Sequence, residues 1–154
     1  MNAESAFLSR LSAQSTVGEL PASDRALDLS VRGQAMADLF DADVGLPGVV
    51  VTDGGVVRGA ISRGQYLRLV SRQFGHEVYL PRELRLMWKA VEQGDDPLVL
   101  SAETPIQSAV SLALERPRGL IYEPVIVSDG PADLNLVDFP DLLRADARLS
   151  ALRN

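Results

Sequence analysis

The stretch VVVTDGGVVRGAIS, Val49 to Ser62, is an apolar run, a tight turn and a second apolar run. Val49, Val50 and Val51 are β-branched and suit a pleated strand. Asp53-Gly54-Gly55 favours positive φ, as a tight hairpin turn requires. Val56 to Ile61 then reads as the returning strand. Ser62 is placed to N-cap a helix carrying Tyr66, Leu67, Leu69 and Val70. A text of the same form, VIVSDGPADLNLVD, returns at Val125 to Asp138.

When Val49 is laid on Val125, the segments Val49–Arg68 and Val125–Arg144 align without a gap. Val49, Val51, Asp53, Gly54, Leu67 and Arg68 meet Val125, Val127, Asp129, Gly130, Leu143 and Arg144. Val50 meets Ile126, Thr52 meets Ser128, and Ile61 meets Val137. Upstream, a helix at Val31 to Phe40 matches one at Ile106 to Leu114 with an offset shorter by one residue. Each unit reads as a strand or extended entry, then helix, strand, turn, strand, helix. Two such units in tandem imply a pseudo-two-fold pair, since neither half alone buries its sheet face.

Around this repeat, Phe7, Leu8 and Leu11 predict a short amphipathic helix within residues 3–14. Val31, Ala35, Leu39 and Phe40 mark one face of the first repeat helix. The bridge Phe74 to Pro97 concentrates Phe74, His76, Tyr79 and Trp88. It predicts a helix with Pro81 in its first turn, carrying Leu84, Met87, Trp88 and Val91 and ending at Gly94. Leu98 to Leu100 reads as a strand, and Ser101 or Thr104 as the cap of the helix at Ile106 to Leu114. Arg116-Pro117-Arg118-Gly119 breaks that helix. Ser128 to Pro131 reads as a turn, Leu134 to Val137 as a strand, and Pro140 as the opening of a last helix. Leu142, Ala145, Leu149 and Leu152 follow an a/d spacing on it. That stripe either closes the second unit or continues into a paired helix that transmits a signal.

The 154 residues suit one domain or two small lobes, and 46% of them are hydrophobic. The formal net charge of −6 argues against a nucleic-acid polymer as partner. Without cysteine there is no disulfide, thiol nucleophile or thiolate metal site. His76 is the single histidine, so His-rich metal sites are excluded as well. No apolar run approaches the ~20 residues of a membrane span. The N-terminus lacks the basic start and apolar core of a signal peptide, so the expectation is a cytoplasmic protein without membrane insertion. Asp95-Asp96 reads as a solvated turn, and no GxSxG, P-loop or HExxH is present.

The repeated unit resembles a CBS domain, and the chain resembles a tandem pair of them, the Bateman module. The family marker is an apolar triplet, an Asp-Gly turn, then Gly-x-x-Ser/Thr-x-x-Asp running into a helix. The first copy reads Gly59-Ala60-Ile61-Ser62-Arg63-Gly64-Gln65 and the second Asn135-Leu136-Val137-Asp138-Phe139-Pro140-Asp141. The resemblance covers roughly residues 26–146. It implies an α/β fold of two CBS-like β-α-β-β-α units in pseudo-two-fold arrangement. The expected boundaries are a helical N-terminal extension at 1–25, unit one at 26–73, a bridging segment at 74–96, and unit two with its C-terminal helix at 97–154.

The resemblance further implies a regulatory, non-enzymatic sensor in signal transduction, with no catalytic residues, no metal and no cofactor. It implies a homodimer whose ligand is an adenine nucleotide. The family's Ser/Thr lies near phosphate and its Asp accepts from ribose hydroxyls, a task suited to two carboxylate oxygens. Carried onto this chain, the ligand-binding positions are Ser62, Arg63, Gln65, Asp138 and Asp141. Both copies depart from the pattern. Gln65 stands where the Asp belongs, and Asp138 stands at the Ser/Thr position, where its charge repels phosphate. The alternative is a ligand-free interaction or dimerisation module of a larger signalling protein, joined to a cyclase, phosphodiesterase or kinase output. FGHEVY at Phe74 to Tyr79 resembles the bridge of such bacterial sensory segments. An enzyme with an unrecognised site is the remaining alternative.

Overall fold

The β-branched triplets become buried strands at the centre of two separate three-stranded sheets in the computed structural model, which describes residues 6–153. In the first unit β1 (Ala26–Asp28) runs parallel to β2 (Gly48–Asp53), and β3 (Val56–Ser62) returns antiparallel to β2. The crossover is α1 (Gly33–Ala42), and three helices follow: α2 (Arg63–Val70), α3 (Gly75–Tyr79) and α4 (Leu84–Glu92). The second unit repeats the order with β4 (Val99–Leu100), α5 (Ile106–Leu114), β5 (Val125–Gly130), β6 (Asp133–Val137) and α6 (Phe139–Arg153). The fold is thus mixed α/β, with two small sheets and six α-helices among the described residues. By contacts, Ser23–Pro97 with Gly130–Leu134 form one compact unit. The described parts of Met1–Ala22, Leu98–Asp129 and Asn135–Asn154 form the other.

Each unit has its own apolar core. Met36, Phe40, Val49, Val51, Ile61, Leu84 and Met87 centre the first; Ile106, Val110, Val125, Val127, Phe139 and Leu142 centre the second. The register refines the repeat. Ala26 pairs with Val50 and Val99 with Ile126, 24 against 27 positions apart, so the second unit carries three extra residues. They enlarge the loop after the crossover helix. The buried faces agree with this offset: Gly33, Met36, Ala37 and Phe40 match Ile106, Ala109, Val110 and Ala113. The helix match expected from the sequence was therefore two residues out of phase, and Val31 precedes α1 instead of belonging to it.

The turns also differ. Gly54 and Gly55 take φ of 60° and 85°, the two positive values a tight hairpin needs. In the second copy Pro131 cannot take a positive φ. β5 accordingly runs on through Gly130, taking in the first three residues of the predicted turn Ser128–Pro131, and Pro131-Ala132 make the reversal.

The segments outside the repeat are repeat-equivalent covers. Val17 and Gly18 N–H donate to Thr104 and Ala102 carbonyls at 2.9 Å, and Phe7, Leu11, Val17 and Leu20 enter the second core. In the first unit, Gly33 and Gln34 N–H donate to Arg82 and Leu80 carbonyls at 2.8 and 2.9 Å. Leu84 and Met87 from the stretch read as a bridge enter that core. The predicted helix at 3–14 is shorter: its described part is a 3-10 turn, Phe7–Arg10, and residues 3–5 lie outside the described residues. Ser15 Oγ accepts from Ser12 N–H at 2.8 Å, an alternative to helical bonding that stops the turn.

Neither Ser101 nor Thr104 caps α5. Its N-cap is Pro105, with no side-chain cap, and the Ser101 hydroxyl accepts from Glu103 N–H ahead of the helix. Pro81 lies ahead of α4, which starts at Leu84 after Glu83, while the unpredicted α3 sits before it. On α6, Leu142, Ala145 and Leu149 are at most 3% exposed inside the second unit's own core, leaving Leu152 outside. The stripe closes its unit, and pairing with another helix would require opening that core.

Candidate functional site

The motif positions fall on the first turn of the helix that follows the third strand of each unit. In the first unit the Ser62 hydroxyl accepts from Gln65 N–H at 3.0 Å, and Gln65 Oε1 accepts from Ser62 N–H at 2.8 Å. This reciprocal capping box satisfies two otherwise orphaned donors, and Gln serves in it as well as a carboxylate. Gly59, three residues earlier, has no Cβ because the Trp88 ring occupies that place.

Arg63 turns away from Ser62. Its guanidinium donates to the carbonyls of Leu46 (2.9 Å), Phe40 (3.4 Å) and Asp43, and stacks 4.6 Å from the Phe40 ring centre. It pins the α1–β2 loop by its fixed fork of donors. Burial, then Asp41 and Asp38, raise the Tyr66 hydroxyl's pKa beside the same ring pair, whose centroids are 4.9 Å apart.

In the second unit the Asp138 carbonyl accepts from Asp141 and Leu142 N–H, at 3.1 and 3.2 Å. Asp141 is paired with Arg144 at 3.1 Å. Phe139, in the place of Arg63, is buried. It carries the Arg116 guanidinium at 5.8 Å from its centre and the exposed Tyr122 ring edge-on at 5.9 Å. Arg116 donates to the carbonyls of Ala113 (3.0 Å), Pro124 (3.3 Å), Ile121 (2.7 Å) and Glu123 (2.9 Å). Burial lowers its pKa. Ser62, Arg63 and Gln65 therefore share one helix turn, and Asp138 and Asp141 share another.

Sequence reasoning missed two groups here. Arg116 was visible only as part of a helix-breaking RPRG. The other group lies at the ends of β1 and β2. Asp28 accepts from the Ser30 hydroxyl (2.7 Å) and the Thr52 hydroxyl (2.9 Å), which hold its pKa well below the usual carboxylate range. Asp53 receives a two-pronged pair of bonds from Arg85 at 2.9 and 3.0 Å, lowering its pKa. The Asp-Gly turn gives no sign of Arg85, which lies 32 residues further along the chain. Among the described residues no group of three His, Cys, Asp or Glu is placed to hold a metal, and no helix is long and apolar enough to cross a membrane.

No protein-family model and no curated protein matches this chain. Solved structures do. CBSX2 in complex with AMP is similar with a TM-score of 0.59 at 19% identity, over 88% of this chain and 98% of that one. The CBS-pair protein CBSX2 from Arabidopsis thaliana gives 0.60 at 19%, over 91% and 98%. A CBS-domain-containing protein from Agrobacterium tumefaciens gives 0.64 at 17%, over 86% and 94%. With the repeated β-α-β-β-α order, the matched buried faces and these likenesses together, the chain has the fold of a tandem CBS-domain pair.

Proposed function

We propose that the chain is a non-enzymatic regulatory CBS-pair module of the cytoplasm, which dimerises and relays a signal on binding an adenine nucleotide. The observation that carries this reading is the placement, in both units, of the family's ligand positions on the first turn of the helix after the third strand. CBSX2, of the same fold, forms a complex with AMP. Dimerisation is supported by Leu67 and Leu143, repeat-equivalent residues on α2 and α6 that stay 49% and 39% exposed. The receiver of the signal is a fused or separate output domain.

The test is calorimetric titration of AMP into the parent, Asp141→Ala and Ser62→Ala. Loss of the Asp141 carboxylate should weaken binding by about 1–3 kcal/mol, the scale of a charge-assisted hydrogen bond. Unchanged affinity in both variants would show that AMP uses neither helix start. Light scattering checks the dimer, and a monomer at high concentration removes that part of the reading.

A second reading, a ligand-free interaction module, is favoured by one specific observation. Ser62 and Gln65 satisfy each other's backbones, and the Arg63 fork is occupied by three carbonyls. Absence of any AMP binding in a folded dimer selects it.

A further inference from the structure

Away from the helix starts, the first unit carries an open depression of about 420 Å³. Arg32 and Gln34 line it from the start of α1, His76 and Glu77 from α3, and Leu80 and Pro81 add apolar surface. Its sides are tied together. Gly33 N–H donates to Arg82 O and Gln34 N–H to Leu80 O, while Leu80 N–H donates to His76 O at 3.1 Å. A methyl group on Gly33 would collide with the Tyr79 carbonyl, so the two chain segments touch there. The depression is therefore preformed.

Three of its side chains keep their hydrogen-bonding groups available to a ligand. Gln34 Nε2 donates to Asp38 at 2.9 Å. The side chains of Arg32, His76 and Glu77 make no hydrogen bond or ion pair among the described residues. Arg32 and Glu77 line one space with opposite charge and yet stay out of pairing range. A simple anion entering here would face Glu77, and a simple cation would face Arg32. A molecule bearing both charges satisfies both, and Leu80 and Pro81 offer contact to an apolar body.

We propose that this depression binds a small zwitterion with an apolar side chain, an α-amino acid of the leucine class. Arg32 takes the carboxylate through its planar fork, Glu77 takes the ammonium, and Leu80 and Pro81 cover the aliphatic part. The site is independent of the nucleotide reading, since it uses none of the motif residues.

The chain's single histidine makes the test direct, because one set of imidazole C–H resonances reports the site. L-Leucine is titrated into the full chain and the His76 signals are followed by NMR. A saturable shift is expected. 4-Methylpentanoate, lacking the ammonium, and isopentylamine, lacking the carboxylate, should each bind at least roughly tenfold more weakly. Arg32→Ala and Glu77→Gln replace exposed side chains without partners. Each should weaken L-leucine by a similar factor with the melting curve unchanged. Absence of saturation with L-leucine overturns the proposal. So does equal binding of the three probes, or undiminished binding by both variants.

Discussion

The two units solve one problem with exchanged parts. In the first, an arginine at the first position of the helix after β3, Arg63, lies over a phenylalanine at the end of the crossover helix, Phe40. In the second, the helix position holds the phenylalanine, Phe139, and the arginine, Arg116, follows the crossover helix. Either way a guanidinium donates to the carbonyls of the loop that returns the chain to the central strand. The longer loop of the second unit has three bonds from Arg116, against two from Arg63 in the shorter one, and each arginine adds one bond to a carbonyl in the last turn of the crossover helix. A cation–ring pair with backbone acceptors is symmetric in function but not in sequence. The repeat conserves the contact while its residues trade places.

A similar exchange governs the covers. In the first unit the close approach between cover and repeat is made possible by Gly33 on the helix, facing Tyr79. In the second, the matching helix position is the buried Ile106, and the small residue is Gly18 on the cover, whose absent Cβ would lie 2.8 Å from that of Ala102.

The sharpest test of the exchange is Phe139→Ala against Arg63→Ala. Phe139 fills the second core, and its loss should cost about 3–5 kcal/mol. Arg63 leaves loop carbonyls that water can reach, so its loss should cost about 1–2 kcal/mol. Urea denaturation of both variants measures the gap, and equal costs would break the comparison. Next in size, Gly33→Ala should destabilise by about 1–3 kcal/mol through a clash with rigid backbone. Gly18→Ala should do the same, while Gly119→Ala, with open space around it, should add no clash. Thermal melts followed by circular dichroism decide this, and a parent-like melt for Gly33→Ala would remove the close approach.

The smallest effect separates the units by acid. Asp28 and Asp53, both in the first unit, have folded pKa values depressed below the unfolded carboxylate value near 4. Their contribution is therefore present above about pH 4 and is lost as pH falls through the folded values. Trp88, the only tryptophan, sits in that unit against Gly59, so its fluorescence reports the first unit's unfolding. The urea midpoint by Trp88 emission should fall from pH 7 to pH 3, and Asp28→Asn should flatten that fall. An unaltered slope in Asp28→Asn would mean that its hydroxyl partners do not favour the charged form.

Much of this molecule was legible along the chain because its signals are local. Val49–Val51 and Val125–Val127 announce buried strands, Gly54-Gly55 announces a hairpin, and Ser62 announces a helix start through bonds three residues long. The candidate helix starts were legible for the same reason. What Arg63 and Gln65 do there was not. In the sequence Gln65 stands at a ligand position of the family pattern; in the fold it is also half of a capping box. Arg63 was read toward phosphate and reaches carbonyls seventeen or more residues upstream.

Only the tertiary structure decided the partners separated along the chain: Arg85 with Asp53, Arg32 beside His76 and Glu77, and the N-terminal segment covering α5. It also moved the repeat offset, since a three-residue loop insertion leaves each helix's own periodicity intact and shows only in strand register. The physical reason is common to all of these. Periodicity and turn chemistry act between near neighbours, whereas a guanidinium, a cover strand or a missing Cβ is specified by whatever the folded chain brings against it.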